Sequence, residues 1–299
     1  MMSYHDPVLL KESIDALNIK EDGNYVDATY GGGGHSNLIL QKLGAKGHLF
    51  SFDQDEDVLP NVSENERFTF IHHNFKYLKR FLKLNGVVQV DGVLADLGVS
   101  SYQLDQADRG FSFRFDADLD MRMNQQGDIS ATEILNNYDA RSLQNIFSLY
   151  GEVRNAKTLA IAIEAERKKK PIKAIKDFLQ ILGPLIRGNR NRYLAQVFQA
   201  LRIEVNDEIE ALKIFLEEAK EVLRPGGTIV IISYHSLEDR LVKNFFKTGN
   251  FEGEVIKDFY GNIERPFKII TKKAMLPSEA EIKKNPRSRS AKMRIAQKL

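Results

Sequence analysis

The fold of the chain is decided by the stretch NYVDATYGGGGHSNLILQKL, which occupies residues 24–43. Its first seven residues predict a β-strand, and the residues after the glycines have the apolar spacing of a helix. A strand, a glycine turn and a helix form the first half of a nucleotide-binding βαβ unit. Glycines there let the backbone take positive φ and let a ligand approach without meeting a Cβ.

The second half of this unit follows directly, because residues 48–52 predict the next strand and Asp53 ends it. An acidic side chain about 20 residues after the turn is placed to accept hydrogen bonds from ribose hydroxyls. A glycine cluster alone is weak evidence, since such clusters often mark only a loop. Together with Asp53, however, the turn predicts a cofactor that contains adenosine.

The glycine turn departs from the dinucleotide fingerprint G-x-G-x-x-G, because Ser36 stands where the last glycine would be. That glycine serves close packing beside a pyrophosphate, so its absence favours S-adenosylmethionine, which has no phosphate, over NAD. Two further residues each have a functional and a structural interpretation. Asp27 could hold the cofactor's ammonium or order a nearby water, or it could be a helix N-cap or loop acid, and Phe75 could pack beside the adenine or belong to the core.

The composition is ordinary for a globular protein: 299 residues, 42% hydrophobic, 28% charged and a formal net charge of +2. A surface for nucleic acid must therefore be a local patch. The chain has no cysteine, which excludes disulfides, thiolate metal sites and cysteine nucleophiles. Without a metal-binding motif, a membrane-spanning segment or a signal peptide, we expect a cytoplasmic protein that needs neither metal nor membrane.

Strands and helices alternate at both ends of the chain, which predicts an α/β fold with a parallel sheet. The predicted strands cover residues 24–30, 48–52, 67–72, 90–96, 228–233, 267–271 and 292–296. Between residues 105 and 205 only helical patterns occur, among them 131–137 and 140–149. The simplest prediction is a Rossmann-like sheet with a helical domain inserted after the fourth strand.

Two strand ends carry candidate catalytic residues. Asp96 ends the fourth strand, where parallel sheets bind ligands, and could accept a hydrogen bond from the amino group of cytosine or adenine. Such a bond would free the nitrogen lone pair for attack on a methyl carbon. A cofactor contact or a simple cap remains the alternative. His235 follows the fifth strand at the same edge, and its alternative is a helix N-terminal hydrogen bond.

Basic residues cluster at 167–176, 187–192 and 285–294, and the first cluster is best interpreted as a solvated face. Arg109 lies in an aromatic setting with Phe111 and Phe113, and Arg287 and Arg289 lie close to the C-terminus. Arginine pairs with phosphate and aromatic rings stack on splayed bases. We therefore expect a large structured RNA as partner, with a small-molecule phosphate as the alternative.

Taken in order, several segments resemble the MraW/RsmH-type ribosomal RNA small-subunit methyltransferases. They are His5 with PVLL at 7–10, GGGGHS at 31–36, DLGVSS at 96–101, RGFSF at 109–113, LDMRM at 119–123, FQALRI at 198–203, HSLEDR at 235–240 and NPRSRS at 285–290. The resemblance spans essentially the whole chain. It departs slightly at Gly32 and Tyr102, where relatives often have other residues, and neither change removes a side chain that the chemistry needs.

The resemblance implies a class I S-adenosylmethionine-dependent methyltransferase: an α/β, Rossmann-like, mostly parallel seven-stranded sheet with an inserted helical domain. Residues 1–104 and 206–299 would form the methyltransferase domain, and residues 105–205 a substrate-recognition domain. The implied reaction is methylation of N4 of a cytosine in the decoding region of 16S rRNA, on the small subunit in the cytoplasm. A NAD-dependent dehydrogenase and a non-catalytic RNA-binding assembly factor are the alternatives, and a homodimer is left open.

The resemblance also assigns roles to residues by motif. Asp96 and His235 are the candidate catalytic residues, but no general base is settled, and water or Asp96 could take the proton. The implied RNA contacts are Arg109, Arg287 and Arg289. The implied cofactor contacts are Gly33, Gly34, His35, Asp53, Phe75, Asp96 and Gln103.

Overall fold

The computed structural model describes residues 7–257, 259–261 and 265–299, so His5 lies outside the described residues. The chain divides into two compact units, one made of Met1–Gly98 with Ile209–Leu299 and the other of Val99–Glu208. The second unit begins before residue 105, because Val99 and Leu104 pack against its apolar core. Its role in substrate recognition stays a prediction.

The described residues of the first unit form seven strands: β1 (Asn24–Asp27), β2 (His48–Asp53), β3 (Phe68–His72), β4 (Val90–Asp96), β5 (Leu223–Ser233), β6 (Phe267–Ile269) and β7 (Lys292–Lys298). The α-helices among the described residues are α1 (Leu10–Leu17), α2 (Gly34–Lys42), α3 (Leu78–Leu84), α4 (Ser101–Asp105), α5 (Ala131–Asn137), α6 (Ala140–Leu149), α7 (Ala156–Arg167), α8 (Ile175–Leu182), α9 (Arg190–Asn206), α10 (Glu208–Val222), α11 (Ser236–Thr248) and α12 (Glu279–Lys284).

The strands form one sheet with the order β3-β2-β1-β4-β5-β7-β6. Strands β1 to β5 run parallel, and β7 pairs antiparallel with both β5 and β6. The prediction of a mostly parallel, seven-stranded sheet is therefore confirmed. Chain order reverses between β1 and β4, so their carboxyl ends meet at a topological switch point, where α/β sheets bind ligands.

Both faces of the sheet are covered by helices, which explains the continuous apolar runs of its central strands. On one face, Val26 and Val93 belong to an apolar layer with residues of α3, α10 and α11. On the other face, Tyr25 and Leu94 belong to a layer with residues of α1 and α2. Alternate residues of each strand thus point to opposite layers, and this alternation holds the register.

The second unit is helical and has its own apolar core. Helix α9 contributes Leu194, Val197 and Leu201, all fully buried, and the other helices of the unit pack around them. No helix within the described ranges is both long and apolar enough to cross a membrane.

The predicted and observed elements differ where local signals are weak or misleading. Helices α5 and α6 have the predicted bounds. Strand β5 is longer than the predicted strand at 228–233, because Leu223 already pairs with Val90 before the ladder shifts and Thr228 pairs with Gly92. Helices α4 and α12 are too short for periodicity to indicate them, and only their serine caps mark them.

Gly110 provides a test of backbone packing in the second unit. It has φ 72°, and an added Cβ would lie 2.5 Å from the carbonyl oxygen of Asp118. Because that backbone atom cannot move aside, we expect Gly110→Ala to lower the free energy of unfolding by about 2–4 kcal/mol. Gly188 has φ 73° with nothing within 4 Å of its Cβ, so Gly188→Ala is the matched control. Gly188→Ala should lower the free energy of unfolding by only about 1 kcal/mol, and urea unfolding of both variants measures the difference. Equal losses in both variants would contradict this account.

Candidate functional site

The glycine turn between β1 and α2 has a geometry that larger residues cannot adopt. Gly33 has φ 77° and precedes the first residue of α2, Gly34. A Cβ on Gly33 would lie 2.8 Å from the hydroxyl oxygen of Tyr30, and one on Gly34 would lie 2.3 Å from Cγ of Pro7. These glycines therefore allow the turn to pack closely against Tyr30 and Pro7 at the switch-point edge of the sheet.

The Asp53 carboxylate faces this turn from the end of β2. Its Oδ2 accepts a hydrogen bond from the backbone N–H of Gly31 at 2.8 Å, and its Oδ1 accepts one from Asp55 at 3.0 Å. Burial raises the pKa of Asp53 to about 6, against the lowering effect of these two bonds. Each carboxylate oxygen can accept a further hydrogen bond, so Asp53 can still bind hydroxyl groups.

Asp27 lies at the centre of a buried polar cluster at the end of β1. Its Oδ2 accepts a hydrogen bond from Oγ of Ser36 at 2.7 Å, and its Oδ1 accepts one from the N–H of Thr29 at 3.1 Å. Ser36 Oγ also lies 2.8 Å from Oγ of Ser51 in β2. The side chain of Ser36 thus links β1, β2 and α2, which explains a serine where the dinucleotide fingerprint has glycine. Asp27 is fully buried and both of its oxygens accept hydrogen bonds, which favours an anchoring role for this carboxylate.

Asp96 and Tyr234 form a hydrogen-bonded pair at the ends of β4 and β5. Oδ1 of Asp96 accepts the Tyr234 hydroxyl at 2.8 Å, while the backbone N–H of Asp96 donates to Oγ1 of Thr29 at 2.7 Å. Within the part of the chain that the structure describes, Oδ2 of Asp96 accepts no hydrogen bond. One carboxylate oxygen is thus held in place and the other remains available to a ligand.

The protonation of this pair is set by its surroundings. Burial raises the pKa of Asp96 to about 7, the bond from Tyr234 lowers it, and the carboxylates of Asp27, Glu238 and Glu281 raise it. Burial and the nearby Asp96 raise the pKa of Tyr234 well above its usual range, so Tyr234 keeps its proton and acts as the donor. Asp96 therefore changes charge close to neutral pH.

His235 serves as the N-cap of α11. Its Nδ1 accepts a hydrogen bond from the N–H of Glu238 at 3.4 Å, and Oε2 of Glu238 accepts one from the N–H of His235 at 3.3 Å. Its Nε2 lies 3.1 Å from Oε1 of Glu238, and its side chain is only 8% exposed. These contacts favour the capping alternative, and a catalytic role for His235 stays a prediction.

The other residues assigned to the cofactor are less open to a ligand. His35 is buried at the start of α2, and Phe75 packs edge-on against Phe215 with 5.0 Å between ring centroids. Gln103 belongs to the second unit, where it forms a capping box with Ser100. Contacts of these three side chains with a cofactor stay predictions.

The three arginines assigned to RNA differ in exposure. Arg109 is buried, and its Nη2 donates to the carbonyl oxygens of Arg122 at 2.9 Å and Met123 at 3.2 Å. These bonds favour a structural role, in which the guanidinium holds a loop of the second unit, and an RNA contact of Arg109 stays a prediction. Arg287 is half-buried, whereas Arg289 is exposed and remains a candidate RNA contact.

Two residues of this site, Tyr234 and Thr29, were not identified as functional from the sequence. Tyr234 follows a strand that ends at the same edge as β4, which is a usable signal. Its bond to Asp96, however, joins residues 138 positions apart, and local spacing cannot predict such a pair.

Residues 2–299 of the chain match the model of the MraW methylase family. A protein of Bacteroides thetaiotaomicron named ribosomal RNA small subunit methyltransferase H is 55% identical, with 99% of this chain and 98% of the relative covered. A protein of the same name from Christiangramia forsetii is also 55% identical, with 100% and 99% covered. Among solved structures, an rRNA methylase from Streptococcus thermophilus is 12% identical, with 96% of this chain and 95% of that chain covered at a TM-score of 0.43.

The buried carboxyl group of Asp27 predicts a dependence of stability on pH. Burial raises its pKa in the folded chain to about 7, so its stabilising contribution is complete below the pKa of the unfolded chain and is lost as pH rises through 7. Between pH 5.5 and 8.5 the free energy of unfolding of the unmodified protein should decrease as Asp27 ionises. In Asp27→Asn we expect this decrease to be smaller by about 2 kcal/mol. Urea unfolding at several pH values measures this loss.

Asp139→Asn is the control for this measurement. Hydrogen bonds from Ser142 hold the pKa of Asp139 below its usual range, so its contribution does not change above pH 5.5. A pH dependence in Asp27→Asn equal to that of the unmodified protein would contradict the role given to this carboxyl group.

Proposed function

The chain belongs to the MraW methylase family, and we propose that it methylates N4 of a cytosine in small-subunit ribosomal RNA. As a member of this family it is an S-adenosylmethionine-dependent methyltransferase. The names of its relatives support ribosomal RNA of the small subunit as the substrate class. The observation that carries the proposal is the Asp96 carboxylate at the switch point, with one oxygen held by Tyr234 and the other available.

The residues at the switch point fit S-adenosylmethionine. Asp53 offers acceptors for two ribose hydroxyls, and Gly33, with its positive φ, shapes the turn that Asp53 faces. The cofactor has no phosphate, so it does not need the glycine that Ser36 replaces. Bound there, it supplies an electrophilic methyl group on a sulfonium sulfur.

We propose that Asp96 prepares the amine for this methyl group. The lone pair of the cytosine N4 nitrogen is delocalised into the ring, which makes the amine a weak nucleophile. A hydrogen bond from N4–H to Oδ2 of Asp96 would localise that pair and orient it for in-line attack. The methylated nitrogen then carries an extra, acidic proton, which water or Asp96 accepts.

Tyr234 acts as a positioning residue in this proposal. Its hydroxyl donates to Oδ1 of Asp96, which favours the ionised carboxylate and fixes the direction of Oδ2. The ionised carboxylate is the form that accepts a hydrogen bond from N4–H. The rate of methyl transfer should therefore depend on the ionisation of Asp96.

We place the target in the decoding region of 16S rRNA and the reaction in the cytoplasm, on the small subunit. A homodimer stays a prediction. A NAD-dependent dehydrogenase is disfavoured because the buried Ser36–Asp27 cluster occupies the position of the third fingerprint glycine. A non-catalytic assembly factor would have no use for an available carboxylate oxygen beside Tyr234.

Labelled-methyl transfer to small subunits, followed by mapping of the modified base, tests the reaction. We expect Asp96→Ala to lower the transfer rate about 100- to 1,000-fold, because it removes the acceptor for N4–H. Asp53→Ala is the matched variant: it should weaken S-adenosylmethionine binding about 10- to 100-fold, with most of the rate restored at saturating cofactor. Normal transfer by Asp96→Ala, or a label on another atom than cytosine N4, would contradict the proposal.

The Tyr234 hydroxyl should set the pH at which methyl transfer begins. The hydrogen bond from Tyr234 lowers the pKa of Asp96, so Tyr234→Phe should raise that pKa. The acidic limb of the pH profile of kcat/KM should then move upward by about one pH unit. The rate should recover at pH 9, where Asp96 is ionised in both proteins. Tyr138→Phe removes a tyrosine–carboxylate bond in the second unit, to Glu204, and should leave the limb unchanged. An unmoved limb in Tyr234→Phe would exclude the positioning role.

A further inference from the structure

The first unit contains a cavity of about 620 Å³ between α11 and the antiparallel edge of the sheet. Its floor is apolar and includes the buried rings of Phe246 and Phe267, with Ile269 and Val255 beside them. Its rim is cationic, and no aspartate or glutamate lines it among the described residues. The basic side chains of the rim are Lys243, Lys247, Arg265, Lys268, Lys272 and Arg294.

Most of this positive charge is not neutralised within the described ranges of the chain. Arg294 is paired, because its Nε lies 2.6 Å from Oδ1 of Asp239. The other five basic side chains are exposed, and none forms an ion pair with a described residue. Elsewhere, the basic run at residues 168–170 is paired with acidic side chains. Because clustered like charges repel one another, the rim favours an anionic ligand.

One side of the cavity is formed by helix α11, which starts next to the candidate active site. Helix α11 begins at Ser236, directly after Tyr234 and His235, and it carries Lys243 and Lys247 one turn apart. At a rise of 1.5 Å per residue, Lys247 lies about 16 Å along the helix from Ser236. That length corresponds to about five stacked nucleotides at 3.4 Å each.

We propose that this cavity binds one nucleotide of the RNA substrate, a few positions away from the base that is methylated. The inference rests on the proposed function. The phosphate would contact the lysines and arginine of the rim, and the base would lie against the exposed side chains of Val255 and Ile269, above the buried rings. An anionic membrane surface is the other ligand that such a basic rim could bind, and RNA is favoured because the proposed substrate is an RNA.

The test compares two double charge reversals in the full chain. Lys247→Glu with Lys268→Glu changes the rim, and Lys42→Glu with Lys46→Glu changes two exposed lysines outside the cavity by the same net charge. The probe is a fluorescent fragment of 16S decoding-region RNA, and its anisotropy is measured at several KCl concentrations. The rim variant should bind about tenfold more weakly, and its plot of log K against log salt should be shallower by about 1.4. The control should change less than about twofold.

S-adenosylmethionine binding, which we expect to be unchanged, verifies that both variants are folded. Equal losses of RNA affinity in the two variants would mean a general charge effect and would overturn the inference. Unchanged RNA binding by the rim variant, with loss of binding to phosphatidylglycerol vesicles, would also overturn it. Because binding is measured without methyl transfer, a protein that binds RNA through the rim and methylates nothing would contradict only the proposed function. A protein that methylates normally and binds RNA without the rim would contradict only this inference.

Discussion

The candidate site depends on two hydrogen bonds of Thr29, which join the ends of β1 and β4. Its N–H donates to Asp27, and its Oγ1 accepts from the N–H of Asp96. These strands are neighbours in the sheet although residues 28–89 separate them in the chain. The connection is short and buried at its Asp27 end, so the carboxylate that would meet the substrate has a fixed backbone.

Burying acidic groups at this edge has an electrostatic consequence. Asp27, Asp53 and Asp96 all have pKa values raised by burial, to about 7, 6 and 7. Each also accepts hydrogen bonds that lower its pKa, from Ser36, Gly31 and Tyr234 among others. The balance keeps the groups close to their ionisation point at neutral pH, where a small change in hydrogen bonding alters charge. Such a balance is common where acid–base chemistry or tight positioning is needed.

Charge has different uses in different parts of the molecule. Arg109 is buried and holds a loop of the second unit through backbone carbonyl oxygens. Asp239 pairs with Arg294 and Lys292 between α11 and β7. In contrast, the other five basic side chains of the rim beside Phe267 form no ion pair with a described residue. The role of a basic residue therefore cannot be assigned from the sequence before its burial and its partners are known.

The sequence by itself determined the sheet, the glycine turn, the acidic ends of β2 and β4, and the family, because these are encoded in local periodicity, spacing and motifs. Tertiary structure decided the rest. It turned residues 224–227 into part of a strand, made His235 a cap, buried Arg109 and brought Tyr234 to Asp96. The physical reason is that burial and long-range hydrogen bonds arise only when distant segments pack together, and no local pattern of residues specifies which side chains will then meet.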